Sequence, residues 1–154
     1  MTEMTATTEM TEGLGELTLT RELPGTPADV FRAYVEPEQF VRFWGPVGTH
    51  VPLDTVTIEP EVGGRYDSTM VIEATGDRYP LKARITEIRP DESFTMAVDG
   101  TAMHSTLTFT DLGDGRTRVV LHQRDVPAMF LGPQAEAGLN SSFDRLVEHL
   151  AARG

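Results

Sequence analysis

Histidine is the side chain most often used for acid–base catalysis and metal binding, and this sequence contains four. His50, His104, His122 and His149 lack a second histidine three or four residues away, the spacing that places two metal ligands on one helix face. The chain has no cysteine, which excludes thiolate catalysis and sulfur-based metal sites. Nucleophile and phosphate-binding motifs are also missing from the sequence. The sequence therefore predicts no catalytic residue, metal site or cofactor.

Three polar residues are candidates for orienting a ligand. Asp54 interrupts the apolar phase of its predicted strand, whereas Gln123 shares the phase of the apolar residues around it. Arg84 or Arg65 could supply a partner if these groups face inward. A buried polar group without a partner costs about 1–3 kcal/mol, so they form either a satisfied network at the sheet edge or part of a ligand site. No acid–base pair stands out, so the sequence favours a protein without enzymatic activity but leaves an enzyme open.

Methionine and aromatic residues occupy faces of the predicted elements that are expected to converge. Methionine adapts its shape and favours contact with aromatic rings, which suits a pocket for flat apolar molecules. Such residues also fill solid protein cores, and both interpretations stay open. The candidate ligand-binding residues are Phe40, Trp44, Tyr66, Met70, Met96, Met103, Phe130, Leu139 and Phe143.

The elements that position these residues begin after a polar start of the chain. Residues 1–15 repeat Thr-Glu-Met without an apolar pattern and are predicted to form a disordered tail. Residues 16–154 are long enough for one domain and are predicted to form a single one. Alternating leucines predict a first strand that ends at Pro24. Thr26 then caps a first short helix and Pro37 starts a second, which Gly45-Pro46 ends.

The middle of the chain predicts a run of strands joined by hairpin turns, and the C-terminus predicts a long amphipathic helix. The helix begins at Gly132-Pro133 and carries one apolar stripe. These elements predict an α+β protein in which a curved antiparallel sheet of six or seven strands wraps around this helix. The strands after the first are predicted at Val51–Ile58, Arg65–Ile72, Tyr79–Ile88, Phe94–Val98, Met103–Phe109 and Val119–Gln123.

Charge and composition narrow the range of partners. The formal net charge is −11, which disfavours binding to nucleic acid and to anionic lipid surfaces. No apolar run is long enough for a membrane span, and the first residues lack the pattern of a secretory signal. A cytoplasmic location is the prediction that fits these features.

The order of elements resembles the helix-grip fold of the START-like (SRPBCC) superfamily. The local sequence is more specifically similar to the activator of 90-kDa heat-shock-protein ATPase homologue-like family, from Leu17 to the C-terminus. The chain departs from that family at Leu139, where members commonly carry a larger tryptophan. The resemblance rests on Pro27-Ala28-Asp29-Val30-Phe31, Phe43-Trp44-Gly45-Pro46, Pro60-Glu61-Val62-Gly63-Gly64-Arg65-Tyr66, Ile85-Thr86-Glu87-Ile88-Arg89-Pro90 and Ser142-Phe143-Asp144-Arg145-Leu146.

Three functional hypotheses follow from the pattern and the resemblance. The leading one is a small-molecule binding protein that holds an aromatic, polyketide or lipid-like ligand in a cavity between the C-terminal helix and the sheet. The resemblance also implies two alternatives, a polyketide aromatase/cyclase and a module that interacts with a chaperone ATPase. A homodimer is a further option that the sequence leaves open, because its outer strand positions do not identify an interface.

Overall fold

A computed structural model describes residues 15–153 of the chain. The predicted tail lies outside the described residues except for Gly15, which begins the first strand. The division into a tail and a single domain stays a prediction. The described elements are β1 (Gly15–Pro24), α1 (Pro27–Val35), α2 (Pro37–Phe40), β2 (Thr49–His50), β3 (Thr57–Ile58), β4 (Tyr66–Ile72), β5 (Arg78–Leu81), β6 (Ala83–Arg89), β7 (Ser93–Val98), β8 (His104–Gly113), β9 (Arg116–Val126) and α3 (Pro133–Arg153).

The described strands form two antiparallel sheets. The larger has five strands in the order β1-β9-β8-β7-β6, and the smaller has the order β2-β4-β3 with β5 paired to β4. A bridge between Arg65 and Arg84 joins them. The predicted helix-grip fold is confirmed: antiparallel strands, two short helices after the first strand and a long C-terminal helix. The strands are divided between two sheets, where the sequence pattern had indicated one of six or seven strands.

The predicted strand Val51–Ile58 is wrong. The structure instead has the two-residue strands β2 and β3, separated by a 3-10 turn at Leu53–Thr55. Pro52 lacks an N–H group for a sheet ladder, and its carbonyl accepts hydrogen bonds from the backbone and the hydroxyl of Thr55. These local bonds replace pairing with a neighbouring strand.

The predicted strand Tyr79–Ile88 is divided at Lys82 into β5 and β6, which belong to different sheets. Pro80 lies within β5 and cannot donate a ladder hydrogen bond, so β5 is confined to the edge of the smaller sheet. The division turns the chain from the smaller sheet to the larger one. Met70 on β4 and Met96 on β7 can therefore face the same interior.

The first helix begins as its sequence predicts. The side chain of Thr26 accepts a hydrogen bond from the backbone of Asp29, and the carboxylate of Asp29 accepts one from the backbone of Thr26. Pro27 occupies the first helical position, where a missing N–H costs nothing. The buried face of α1 carries Phe31 and Tyr34 into the core.

The long helix α3 packs unevenly against the larger sheet. In its C-terminal half Phe143, Leu146 and Leu150 are buried, and Arg21 on β1 forms an ion pair with Asp144. In its N-terminal half, residues 133–142, every position is exposed or half-buried. No helix within residues 15–153 is both long and apolar enough to cross a membrane.

Candidate functional site

A cavity of about 340 Å³ lies beneath the N-terminal half of α3. This volume falls within the range of about 300–1,000 Å³ that is usual for small-molecule sites. Its walls come from the helices α1 and α3, from β7, β8 and β9, and from β4 and β5 of the smaller sheet. The segments after α2, before β8 and before α3 complete them. The lining residues are Tyr34, Trp44, Gly45, Pro46, Met70, Leu81, Met96, Val98, Met103, Ser105, Leu107, Leu121, Gln123, Phe130, Gln134, Ala135, Gly138, Leu139, Ser142 and Phe143.

Most of the predicted apolar ligand-binding residues meet at this cavity, although they come from six separate parts of the chain. Their convergence shows that β4, β7, the turn before β8 and α3 present these side chains to one space. Phe130 is 48% exposed and Gln134 is exposed, so this end of the cavity is in contact with solvent. The predicted residues that line the cavity are Trp44, Met70, Met96, Met103, Phe130, Leu139 and Phe143.

Phe40 and Tyr66 were also predicted to bind ligand, but the structure places both in the solid core outside the cavity lining. The ring of Phe40 stacks on Trp44 with 4.7 Å between centroids, so Trp44 separates Phe40 from the cavity. Tyr66 donates a buried hydrogen bond of 2.6 Å to the carbonyl oxygen of Tyr34. Their sequence pattern gave the correct interior face but could not distinguish core from cavity wall.

The three candidate polar residues are not brought together. Asp54 is exposed in the 3-10 turn at Leu53–Thr55, because the expected strand does not form there. Arg84 is exposed on β6. Only Gln123 lines the cavity, where it is 9% exposed. An arrangement in which all three orient one ligand is therefore not present.

Gln123 has a partner that the sequence interpretation did not select. Its side-chain amide donates a 3.1 Å hydrogen bond to the hydroxyl of Ser105, which lies opposite it on β8 and is 4% exposed. Ser105 lies in the two-residue strand period of Met103 and Leu107, so it shares their face of the sheet. This spacing was the signal that could have identified Ser105 as a cavity residue. The pair forms a polar patch on the cavity wall.

Tyr34 is a second cavity residue that sequence reasoning missed. Its side chain is 4% exposed, and burial raises the pKa of its hydroxyl well above the usual value for tyrosine. Among residues 15–153 no hydrogen bond involves this hydroxyl, whereas the hydroxyl of Tyr66 is bonded. The helical spacing of Tyr34 with Val30 and Phe31 indicated burial but not contact with a cavity.

The wall after α2 is fixed in place by α3. The hydroxyl of Ser142 donates to the carbonyl of Phe43 at 2.8 Å, and the guanidinium of Arg145 donates to the carbonyl of Gly45 at 2.9 Å. Gly45 has φ +88°, and an added Cβ would lie 2.6 Å from the hydroxyl oxygen of Thr49. The turn therefore needs glycine, and it aligns Trp44 and Pro46 along the cavity.

The lining is uncharged. Within the part of the chain that the structure describes, no Asp, Glu, Lys, Arg or His side chain lines the cavity. Among residues 15–153 there is also no group of three or more His, Asp or Glu side chains that could hold a metal ion. The site can therefore provide apolar contacts and hydrogen bonds to neutral groups, and it contains no ionised acid–base pair.

Comparison with known proteins places this architecture in context. A family model described as Activator of Hsp90 ATPase homolog 1-like protein matches residues 24–151. A solved structure from Chromobacterium violaceum is 22% identical with TM-score 0.80, and the match covers 88% of this chain and 96% of that one. An AHSA1 protein from Silicibacter pomeroyi is 26% identical with TM-score 0.71, covering 90% and 99% of the two chains. An AHSA1-like protein from Aeromonas hydrophila is 17% identical with TM-score 0.72, covering 90% and 94%.

No curated protein sequence matches this chain. The structural similarities at 22% and 17% identity establish the fold, and the family model runs from the last residue of β1 into α3. The resemblance that the sequence motifs indicated is thereby confirmed. The chain belongs to the Activator of Hsp90 ATPase homolog 1-like protein family.

Proposed function

We propose that this protein binds an apolar small molecule in the cavity beneath α3. The observation that carries the proposal is an uncharged space of about 340 Å³, lined mainly by methionine, aromatic and aliphatic side chains. Transfer of a ligand's apolar surface into such a space contributes about 25 cal/mol per Å² removed from water. Met70, Met96 and Met103 can change rotamer to fit ligands of different outline.

The uneven packing of α3 supports the proposal. The C-terminal half of this helix holds the fold through buried residues, whereas its N-terminal half covers the cavity without a buried side chain of its own between residues 133 and 142. Contacts with a ligand would therefore replace contacts that this half of the helix lacks. A site of this kind is preformed and needs little rearrangement to accept a ligand.

Binding can be tested with the neutral fluorescent probe N-phenyl-1-naphthylamine, because Trp44 is the single tryptophan and lines the cavity. Excitation of Trp44 should transfer energy to the bound probe, giving a saturable signal. Ala135→Phe places a ring in the cavity and should weaken binding at least tenfold. Ala137→Phe adds the same ring at an exposed position of α3 and is the matched control.

Absence of saturable energy transfer in the unmodified protein would contradict the proposal. Equal weakening by Ala135→Phe and Ala137→Phe would also contradict it, because binding would then depend on the helix surface. Thermal unfolding of both variants shows whether each retains the fold.

The other hypotheses have less support. The aromatase/cyclase alternative depended on Asp54, Arg84 and Gln123, and two of these residues are exposed and outside the cavity lining. Interaction with a chaperone ATPase, homodimer formation and a cytoplasmic location stay predictions from the sequence and the family resemblance.

A further inference from the structure

Within the proposed binding function, on which this inference rests, we infer that the cavity selects neutral ligands carrying a hydroxyl or carbonyl group on an apolar body. Gln123 and Ser105 bind that group. The inference joins two observations: hydrogen-bonding capacity that is buried but unused, and a lining without ionised side chains.

The unused capacity lies on the Gln123–Ser105 pair. The amide nitrogen of Gln123 bonds to the hydroxyl oxygen of Ser105, but the side-chain oxygen of Gln123 accepts no bond from any described residue. The hydroxyl proton of Ser105 likewise has no acceptor within residues 15–153. Both side chains are at least nine-tenths buried, and buried polar groups in folded proteins are normally paired. A ligand hydroxyl can donate to Gln123, and a ligand carbonyl can accept from Ser105.

The pair is a local polar patch on an apolar wall. In the strand register Ser105 lies between Met96 and Gln123, and Gln123 lies between Ser105 and Leu17. Met96 also lines the cavity, so a ligand that bonds to this patch contacts an apolar side chain directly beside it. The site fits a molecule with a polar group at one end and an apolar body.

The uncharged lining also restricts which ligands bind, because it favours neutral molecules over ionised ones. Transfer of a carboxylate or ammonium ion out of water is strongly unfavourable unless an opposite charge compensates it. No lining residue within the described chain supplies that charge, and the net charge of −11 further disfavours anions. A neutral alcohol, phenol or ketone should therefore bind better than the corresponding carboxylate.

Three compounds with the same ring system test this selectivity: naphthalene, 2-naphthol and 2-naphthoate, each titrated against bound N-phenyl-1-naphthylamine at pH 7. We expect 2-naphthol to bind about three- to tenfold more tightly than naphthalene, the effect of one added hydrogen bond. The ionised 2-naphthoate should bind at least tenfold more weakly than 2-naphthol. Gln123→Leu and, as a smaller change, Ser105→Ala should each lower the ratio of 2-naphthol affinity to naphthalene affinity measured within the same variant.

Thr106→Val provides the control, because the hydroxyls of Thr95 and Thr106 pair at 2.8 Å on neighbouring strands and neither residue lines the cavity. This variant should keep the preference for 2-naphthol. Equal affinities for naphthalene and 2-naphthol, tight binding of 2-naphthoate, or an unchanged preference in both cavity variants would overturn the inference. Failure of the fluorescent probe itself to bind would instead overturn the proposed function.

Discussion

The interior on one face of β7 contains two regions that differ in how fully they are packed. Phe94 belongs to an aromatic region. The centroid of its ring lies 5.5–6.4 Å from the ring centroids of four neighbours, which are Phe31, Tyr34, Tyr66 and Phe109. Two residues further along the strand, Met96 belongs to a methionine-lined region that borders the cavity together with Met70 and Met103.

The difference shows how one fold can combine stability with an unfilled space. Aromatic rings in edge-to-face contact fill volume with few rotatable bonds, so the aromatic region provides a large share of the packing energy. Methionine has three rotatable bonds and packs less specifically. Because α1 and the C-terminal half of α3 contribute buried residues to the core, the N-terminal half of α3 does not need a solid interior beneath it.

Truncation on β7 should give the largest contrast between the two regions. Phe94→Ala removes a 1% exposed ring from four aromatic neighbours and should reduce the free energy of unfolding by about 3–5 kcal/mol. Met96→Ala should cost about 2 kcal/mol, because its side chain already borders empty space and loses fewer contacts. Urea unfolding of both variants measures the difference. Equal losses would mean that the methionine-lined region is packed as tightly as the aromatic one.

The two buried tyrosines provide a smaller contrast of the same kind. Tyr66→Phe removes the hydrogen bond to the carbonyl of Tyr34 and should lower the free energy of unfolding by about 1–3 kcal/mol. Tyr34→Phe removes a hydroxyl that bonds to no described residue, so we expect a change below about 0.5 kcal/mol. A loss in Tyr34→Phe comparable to that in Tyr66→Phe would show that the Tyr34 hydroxyl is already satisfied and that the cavity is more crowded than its volume indicates.

The sequence predicted the fold well where local chemistry was decisive. Thr26 and Pro27 defined the start of α1, and the apolar stripe defined α3, because caps and helical periods depend on near neighbours. The prediction of strands from the sequence failed at Val51–Ile58 and at Lys82, where the chain passes between the two sheets. Strand pairing is a long-range property, so an apolar run alone cannot reveal where a strand is interrupted.

The site was predicted less completely than the fold. The alternation of side chains along a strand correctly placed Met96, Met103 and Gln123 on the inner face of the sheet. The direction of a strand side chain depends only on its position in that alternation. Periodicity cannot show how much space remains between two packed layers. For that reason Phe40 was assigned to a cavity from which Trp44 separates it, and Ser105 was not selected beside Gln123.

The pH dependence of stability tests whether Tyr34, at the boundary between the two regions, is shielded from water. Burial raises the pKa of both Tyr34 and Tyr66. Repulsion from an ionised Tyr34 raises the pKa of Tyr66 by a smaller amount. In the unfolded chain tyrosine ionises at about pH 10, so above that pH the unfolded state releases protons that the folded state keeps. The stabilisation that these two tyrosines contribute to the free energy of unfolding is therefore complete below about pH 9 and is lost as the pH rises.

The slope can reach about 1.4 kcal/mol per pH unit for each shielded tyrosine, so the expected loss at pH 10.5 is on the order of 1 kcal/mol per residue. Tyr34→Phe removes one of the two groups and should reduce the slope of urea midpoint against pH between pH 9 and 11. An unchanged slope would mean that Tyr34 ionises in the folded protein as readily as in the unfolded chain. Water would then reach the aromatic region through the cavity, and the two regions would not be separated as the packing of Phe94 and Met96 indicates.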